Sequence, residues 1–336
     1  MYNTARYLRE CLASILSQTY KNFIVFTIDD GSTDDSVQIL DEYAAKDHRI
    51  ITIHQKNGGV SSARNTALDA IENDGSFDYI AFIDSDDVVN KNFLELYVTH
   101  LSANNADYAV CGWESFDKTG IIPKTKSRNS EFLHPEIIDR DGAFQHNYRT
   151  GKWAKITSNA FSDFIGNRCF STKCAKGRRF DTSMVKGEDQ DFLLQMLLHI
   201  DKGVIIDDTV LMYRIRASSL SHHNSTPLSD MNLLIELLNR AKSHPVSAQL
   251  GLQRRAFDAW WNALRFAISN DSYKNTKEKF VYTYNYLKSL EHRTELQNKR
   301  RLVLFSLGDI FLTLYFSHKK KKINDDQLRA LQNAYE

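Results

Sequence analysis

Apolar residues in the first half of the chain follow two periods, and the two alternate. Tyr7, Leu8, Cys11, Leu12, Ile15 and Leu16 fall three and four apart, the stripe of an amphipathic helix. Phe23 to Ile28 is an uncharged run rich in aromatic and β-branched residues, the pattern of a strand buried on both faces. The run stops at Asp29-Asp30, and helical spacing resumes at Val37, Leu40 and Tyr43. A short strand is expected at Ile50 to Ile53, a helix opening within Asn57 to Asn65, and a second buried strand at Tyr79 to Ile83. A helix from Lys91 to Asn104 and a strand near Tyr108 to Cys111 continue the series. Alternation of this kind predicts an α/β fold whose sheet is mostly parallel and flanked by helices.

From Trp113 to Thr157 the pattern dissolves into polar sequence, which reads as an irregular, acceptor-facing excursion over the sheet. Order returns near Phe164. A helix is expected through Phe192, Met196 and Ile200, then strands at Val204 to Ile206 and Leu211 to Arg216. Beyond Pro227 the spacing is helical throughout: Leu233 to Ala241, Leu252 to Ile268 and Lys277 to Leu290, with Trp260 and Trp261 as expected core. The chain therefore divides into an α/β domain over 1–224 and a helical region over 225–336.

Composition narrows the function classes. The formal net charge of the 336 residues is +1, so there is no global electrostatic argument for nucleic acid. Cys11, Cys111, Cys169 and Cys174 form no CxxC pair and no zinc spacing, and read as free thiols of a reducing cytosol. No segment reaches the roughly 18 apolar residues of a membrane-spanning helix.

The chemistry lies where the strands end. Asp29-Asp30 closes one strand, and Asp84, Asp86 and Asp87 close another. In open α/β sheets ligands bind beyond the carboxyl ends of the strands. Three carboxylates so close repel one another unless a cation sits among them, and a hard ion, Mn²⁺ or Mg²⁺, suits their oxygens. Gly58-Gly59 precedes a helix start, where backbone amides can approach phosphate. These features point to a metal–diphosphate site. The plainer alternative is a turn in which Asp86 or Asp87 caps the helix expected from Lys91. No GxGxxG or Walker pattern is present, and Asp30 to Asp34 lacks the glycine and glutamate offsets of a calcium loop.

Tyr2-Asn3, Gln18-Thr19-Tyr20, the DDGSTDDS stretch from Asp29, NGGVSSARN from Asn57, DSDD from Asp84 and GEDQDF from Gly187 stand in one order and spacing. Together they resemble the family 2 inverting glycosyltransferases of the GT-A fold, over residues 1 to about 223. The resemblance implies that Asp30 binds the nucleotide base, expected to be uracil, with Tyr2 packed near it. It implies that Asp84 lies near the ribose or a metal-bound water and that Asp86 ligates the metal. Asp189 is the implied catalytic base, with Glu188 beside it as the weaker candidate. Asn57 and Arg64 join the donor-binding set, Arg64 and Asn65 orienting the acids or the diphosphate. Arg214 and Arg216, with His222 or His223, reach phosphate on loop closure. The expected reaction moves one sugar from a nucleotide-diphosphate sugar to a hydroxyl of a saccharide acceptor with inversion, in cell-surface polysaccharide synthesis. Processive members carry a QxxRW motif, and this chain does not.

Bland readings stand beside these. Arg64 is equally a surface helix arginine, Arg214 a partner of Asp207 or Asp208, His222 and His223 loop histidines, and Lys173 to Arg179 a solvated face. Family members also carry a strand before the Tyr-Asn pair, whereas Met1 here directly precedes Tyr2. The resemblance thus implies a sheet lacking its first strand, and a second function class, a catalytically impaired nucleotide-sugar-binding module. Finally, Leu302 to Phe316 is strongly apolar and is flanked by Arg300-Arg301 and by Lys319 to Lys322. It reads either as a buried helix or as one lying in the membrane interface. The second reading puts a cytoplasmic enzyme at the inner face of the membrane, facing a lipid-linked acceptor.

Overall fold

The computed structural model describes residues 1–117, 120–122, 135–148, 164–184, 186–216, 227–241, 246–269, 278–283 and 287. The basic-flanked apolar stretch 302–316, His222 and His223 lie outside them. The chain forms two compact units, Met1–Ile215 and Arg216–Glu336.

The elements of the first unit run α1 (Ala5–Leu16), β1 (Val25–Asp29), α2 (Ser36–Lys46), β2 (Ile50–His54), α3 (Val60–Asp74), β3 (Tyr79–Ala81), β4 (Val88–Val89), α4 (Phe93–Asn104), β5 (Tyr108–Asp117), β6 (Gly120–Ile122), β7 (Glu136–Asp139), α5 (Arg140–Tyr148), β8 (Arg168–Ser171), α6 (Thr172–Ala175), α7 (Glu188–Leu197) and β9 (Lys202–Arg214). The helical stripe of α1 buries as its spacing requires: Leu8, Cys11, Leu12 and Ile15 are inside. Leu8 and Leu12 pack with Ile39 and Leu40 of α2. Cys11 and Ile15 join the main core with Phe93, Tyr97, Ala109, Cys111, Val204, Ile206 and Leu211. A fully buried aliphatic or aromatic side chain here stabilises the fold by roughly 1.5–3 kcal/mol.

The strands form two sheets. β1 and β2 pair in parallel, Val25 opposite Ile50 through Asp29 opposite His54. The other sheet has the order β3-β8-β5-β9-β4, with β6 on β5 and β7 on β9. Its pairing corrects the expectation of a mostly parallel arrangement. Among the described residues of this sheet only β5 and β9 run parallel; the β3–β8, β5–β8, β4–β9, β5–β6 and β7–β9 pairs are antiparallel. The β5–β6 pair is a tight return, which cannot be parallel because a parallel neighbour needs a long crossover. β3 is also shorter than its apolar run suggests, since pairing ends at Ala81 opposite Cys169. Phe82 instead turns its ring edge to Phe180 and Phe192.

Gln18, fully buried, fastens α1 to the start of α4. Its amide donates to the carbonyls of Ser14 (3.1 Å) and Asn90 (2.8 Å) and accepts the Leu94 N–H (2.9 Å). The second unit contains α8 (Pro227–Arg240) and α9 (Val246–Ser269). Met231, Leu234, Leu237 and Leu238 of α8 and Leu252, Ala256, Trp260, Trp261 and Leu264 of α9 are buried, so both tryptophans are core as expected. The Trp260 indole N–H donates to the Phe280 carbonyl at 3.2 Å. Among the described residues no helix is long and apolar enough to cross a membrane.

Candidate active site

Two groups of residues assemble at the strand ends. The first surrounds Asp30, which is 3% exposed. Its Oδ1 accepts hydrogen bonds from Gln55 Nε2 (2.7 Å) and the Gly58 N–H (2.9 Å), and its Oδ2 accepts the Gly59 N–H (2.8 Å). The amides at the start of α3 therefore hold a protein carboxylate, which corrects the reading that Gly58 and Gly59 wait for a phosphate. The physics is the same, since a helix N-terminus favours any anion. Gly31 is needed where it stands. Its φ is +74°, and a Cβ there would sit 3.0 Å from the Asn57 nitrogen. Asn57 lies beside that turn, exposed to solvent.

The turn is pinned from the chain's beginning. Asn3, in left-handed conformation (φ 52°), accepts the Thr33 N–H (2.8 Å) and the Asp34 N–H (3.3 Å) on its side-chain oxygen, while its own N–H donates to Ser32 Oγ (3.0 Å). The Met1 nitrogen donates to the Ile28 carbonyl (2.7 Å), and the Asp30 N–H donates to the Met1 carbonyl (2.8 Å). Tyr2, 49% exposed, is thereby held next to the end of β1 and Asp30. Asp29 is engaged elsewhere: it accepts the Ser32 N–H (3.0 Å) and meets His54 Nδ1 (3.3 Å), whose Nε2 meets Asp41 (3.2 Å).

The second group is organised by Arg64. Its Nη1 donates to Asp189 Oδ1 (2.5 Å) and Glu188 Oε1 (3.4 Å), and its Nη2 to Asp84 Oδ1 (3.0 Å). The guanidinium carbon lies 5.1 Å from the centre of the Phe180 ring. Only 11% of the side chain is exposed, so this is no surface arginine. Asp189 and Glu188 form the first turn of α7, entered through Gly187 at φ +82°, where the helix dipole favours negative charge. The Ile165 N–H points at Asp189 Oδ2 from 3.4 Å. Burial nevertheless raises the Asp189 carboxyl to about 6, with Glu188 and Asp84 pushing the same way and Arg64 opposing. A carboxylate poised there can take a proton near neutral pH.

The three acids after β3 have separated roles. Asp84 is 46% exposed, and among the described residues only its Oδ1 is engaged. Asp86 is half-buried on the same turn. Asp87, 2% exposed, turns inward and accepts the Arg214 N–H at 2.9 Å. Burial, then the Asp84 and Asp86 charges, drive Asp87 up to about 8, against the Arg214 hydrogen bond. Asp87 is not a helix cap as expected, because α4 begins at Phe93 with Asn92 in the capping position. Arg214 braces this turn. It donates to the Asp86 carbonyl (2.7 Å) and to Glu10 (2.6 Å), and its guanidinium lies over Phe116 (4.3 Å) and Tyr7 (5.0 Å). It does not pair with Asp207 or Asp208. Arg216 opens the second unit and is half-buried there.

Among the described residues no group of three or more His, Cys, Asp or Glu side chains is arranged around a metal position. Arg64 supplies the positive charge between Asp84 and Asp189 instead. Asp84 Oδ2 and the Asp86 carboxylate, on one turn, are the oxygens that could hold an ion. That set fits an ion such as Mg²⁺, which takes one or two protein carboxylates and completes its shell with diphosphate and water.

Sequence reasoning missed Gln55, which fixes Asp30, and did not foresee that Asn65 acts on the Phe180 backbone. Asn65 grips the backbone of Phe180: its Nδ2 donates to the carbonyl at 2.9 Å and its Oδ1 accepts the N–H at 2.8 Å. Their place inside the NGGVSSARN block and just before it was the available signal.

A mixed α/β core with acids gathered at the strand ends is the architecture of the GT-A glycosyltransferases. The solved structure of residues 1–349 of S. aureus TarS in complex with UDP-GlcNAc aligns over 85% of this chain and 78% of its own, with a TM-score of 0.63 and 17% identity. The mannosyltransferase PcManGT from Pyrobaculum calidifontis, in complex with GDP-Man and Mn²⁺, aligns over 90% and 83% with a TM-score of 0.54 and 15% identity. The sequence profile described as Glycosyl transferase family 2 matches residues 1–174, and the chain belongs to that family. Among curated relatives, the glycosyltransferase GlyA of Streptococcus pneumoniae serotype 4 is 33% identical over 66% of this chain, which spans only 30% of GlyA. The glycosyltransferase GlyG of the same organism is 29% identical over 83% of this chain and 87% of its own length.

Proposed function

We propose that this glycosyltransferase moves one sugar from a UDP-sugar to a hydroxyl of a saccharide acceptor, with inversion, and that Asp189 is the base. The observation that carries the reading is the Arg64 guanidinium, which ties Asp84 to Glu188 and Asp189 at 2.5–3.4 Å. It couples the acids that face a donor to the carboxylate that would receive the acceptor's proton.

The roles follow from the chemistry of each group. Asp30 is held by three donors and offers only acceptor oxygens. It selects a base with a ring N–H, which uracil and guanine have and cytosine lacks; Tyr2 packs beside the base, and Asn57 and Arg216 belong to the donor set. TarS was solved with UDP-GlcNAc, which favours uracil and a hexosyl or N-acetylhexosaminyl group. Asp86, with Asp84, would hold Mn²⁺ or Mg²⁺, as PcManGT was solved with Mn²⁺. Such an ion offsets charge developing on the leaving diphosphate. Asp189 accepts the proton of the attacking hydroxyl, and an in-line displacement opposite the leaving group inverts the anomeric centre. In this reading the apolar stretch 302–316, which lies outside the described residues, rests in the membrane interface with the flanking Lys319 to Lys322 on anionic headgroups. That places the enzyme at the cytoplasmic face, with access to a lipid-linked acceptor of cell-surface polysaccharide synthesis.

A panel of UDP- and GDP-sugars, assayed for nucleotide release with and without Mn²⁺, tests the donor side. Metal-stimulated release from one UDP-sugar supports the reading. Binding of UDP without release from any member would favour the impaired binding module.

A further inference from the structure

One face of α3 meets Gly177, Arg179 and Phe180 before α7 and the first turn of α7 itself. Glu72 accepts the Gly177 N–H (3.1 Å), and Asp69 and Glu72 hold the Arg179 guanidinium (2.6 Å each). Asn65 makes its paired bonds to Phe180, and Arg64 reaches Glu188 and Asp189. Asp69 is 59% exposed and Glu72 and Arg179 are 31% exposed each, and ion pairs so open to solvent contribute about 0–1 kcal/mol each. The Asn65–Phe180 pair is different. It replaces both hydrogen bonds of a backbone ladder at a residue that is 2% exposed.

Phe180 is also the seat of Arg64. Its ring stacks on Phe192 of α7 at 3.9 Å and 8°, and meets the Phe82 edge at 5.5 Å. The guanidinium of Arg64 lies over the same ring. Moving Phe180 therefore moves both the arginine that touches Asp189 and the helix that carries Asp189.

We infer that Asn65 is a positioning residue for the base: by fixing the Phe180 backbone it sets the Arg64–Asp189 contact that the transfer reaction needs. The inference rests on Asp189 being the base. Asn65 touches neither donor nor acceptor in this account, and its effect passes through Phe180 and Arg64. The charged groups facing Asp189 are Arg64 from α3, Glu188 from α7 and Asp84 from the turn after β3, with the Ile165 N–H opposite. Arg64 alone among the three charges favours the ionised carboxylate. Loosening its contact raises the pH at which the base becomes active.

The test compares Asn65→Ala with wild type in kcat, UDP affinity and the pH profile of kcat, with Asn65→Ser as the milder variant should the alanine form fail to fold. Misplacement of a reacting group by about 1 Å costs on the order of 10²-fold. The expected result is a fall in kcat of roughly ten- to a hundredfold, UDP affinity within about twofold of wild type, and the acid limb of the profile moved to higher pH. An unchanged acid limb, with activity lost only in proportion to UDP-binding protein, would overturn the inference, as would wild-type kcat. The Asp189→Asn enzyme separates the two levels. If it turns over normally, the base assignment fails; if it is inactive while Asn65→Ala keeps the wild-type profile, only the role of Asn65 fails.

Discussion

Replacing Arg64 by methionine keeps most of the side chain's length and its contact with Phe180 but removes the charge. Three carboxylates, Asp84, Glu188 and Asp189, then share one site without a cation among the protein groups described. Arg64 and the two α7 acids are each less than a fifth exposed, so solvent does little to screen them. Removing one partner of a buried ion pair typically costs about 3–5 kcal/mol. The sign of the pH dependence follows from the shifts. Burial holds Asp189 near 6 in the folded chain, above the ordinary value of an aspartate, so its ionisation destabilises the fold as pH rises from the ordinary value through about 6. Arg64 opposes that shift, so Arg64→Met raises the folded pKa further and widens the window. The variant should lose about 3–5 kcal/mol at pH 8, where Asp189 is charged, and distinctly less at pH 5, where protonation of Asp189 relieves the cluster. Urea unfolding of both proteins at pH 5 and pH 8 measures this, and the acid limb of kcat should move upward in the variant. Equal destabilisation at the two pH values, with an unmoved limb, would refute the account of Arg64 as the charge that organises the site.

Other substitutions separate neighbouring residues. Asp86→Ala should abolish metal-dependent UDP binding with little change in melting temperature, whereas Asp87→Ala should destabilise the chain by about 1–3 kcal/mol by orphaning the buried Arg214 N–H. Mn²⁺ titration and thermal melts of both variants check this; equal losses of binding would reverse the assignment. Gln18→Ala should cost about 1–3 kcal/mol in urea unfolding, because the Leu94 N–H loses its partner and the Asn90 carbonyl keeps only the Phe93 N–H. Anionic liposomes should sediment the full chain but not a chain ending at Asn298; equal sedimentation would leave 302–316 as ordinary core.

Much of this was readable in advance because each pattern had one physical solution. The α1 stripe could bury only one face, and Trp260 and Trp261 stand within a run of helically spaced apolar positions and became core. Strand pairing was not readable. Periodicity reports whether a face is buried, not the direction of the neighbour, and β8 inserts between β3 and β5 from far along the chain. The roles within the acidic turn were hidden for a related reason. Asp84, Asp86 and Asp87 look alike in sequence, and only tertiary partners distinguish them: Arg64 for Asp84, and the Arg214 backbone for Asp87. Gly58 and Gly59 marked an anion site correctly, but the anion proved to be Asp30, which lies 28 residues earlier.

The central claim is that Asp189 is the proton acceptor, and Asp189→Asn tests it most directly. The asparagine is nearly isosteric and can still meet the Ile165 N–H and Arg64, so the site should stay assembled. Single-turnover transfer from the productive UDP-sugar, measured beside UDP affinity on the same preparation, is the decisive comparison. A loss of about 10²–10⁴-fold in transfer with UDP affinity unchanged is the predicted result. Transfer at the wild-type rate would contradict it and move the base to Glu188 or beyond this site.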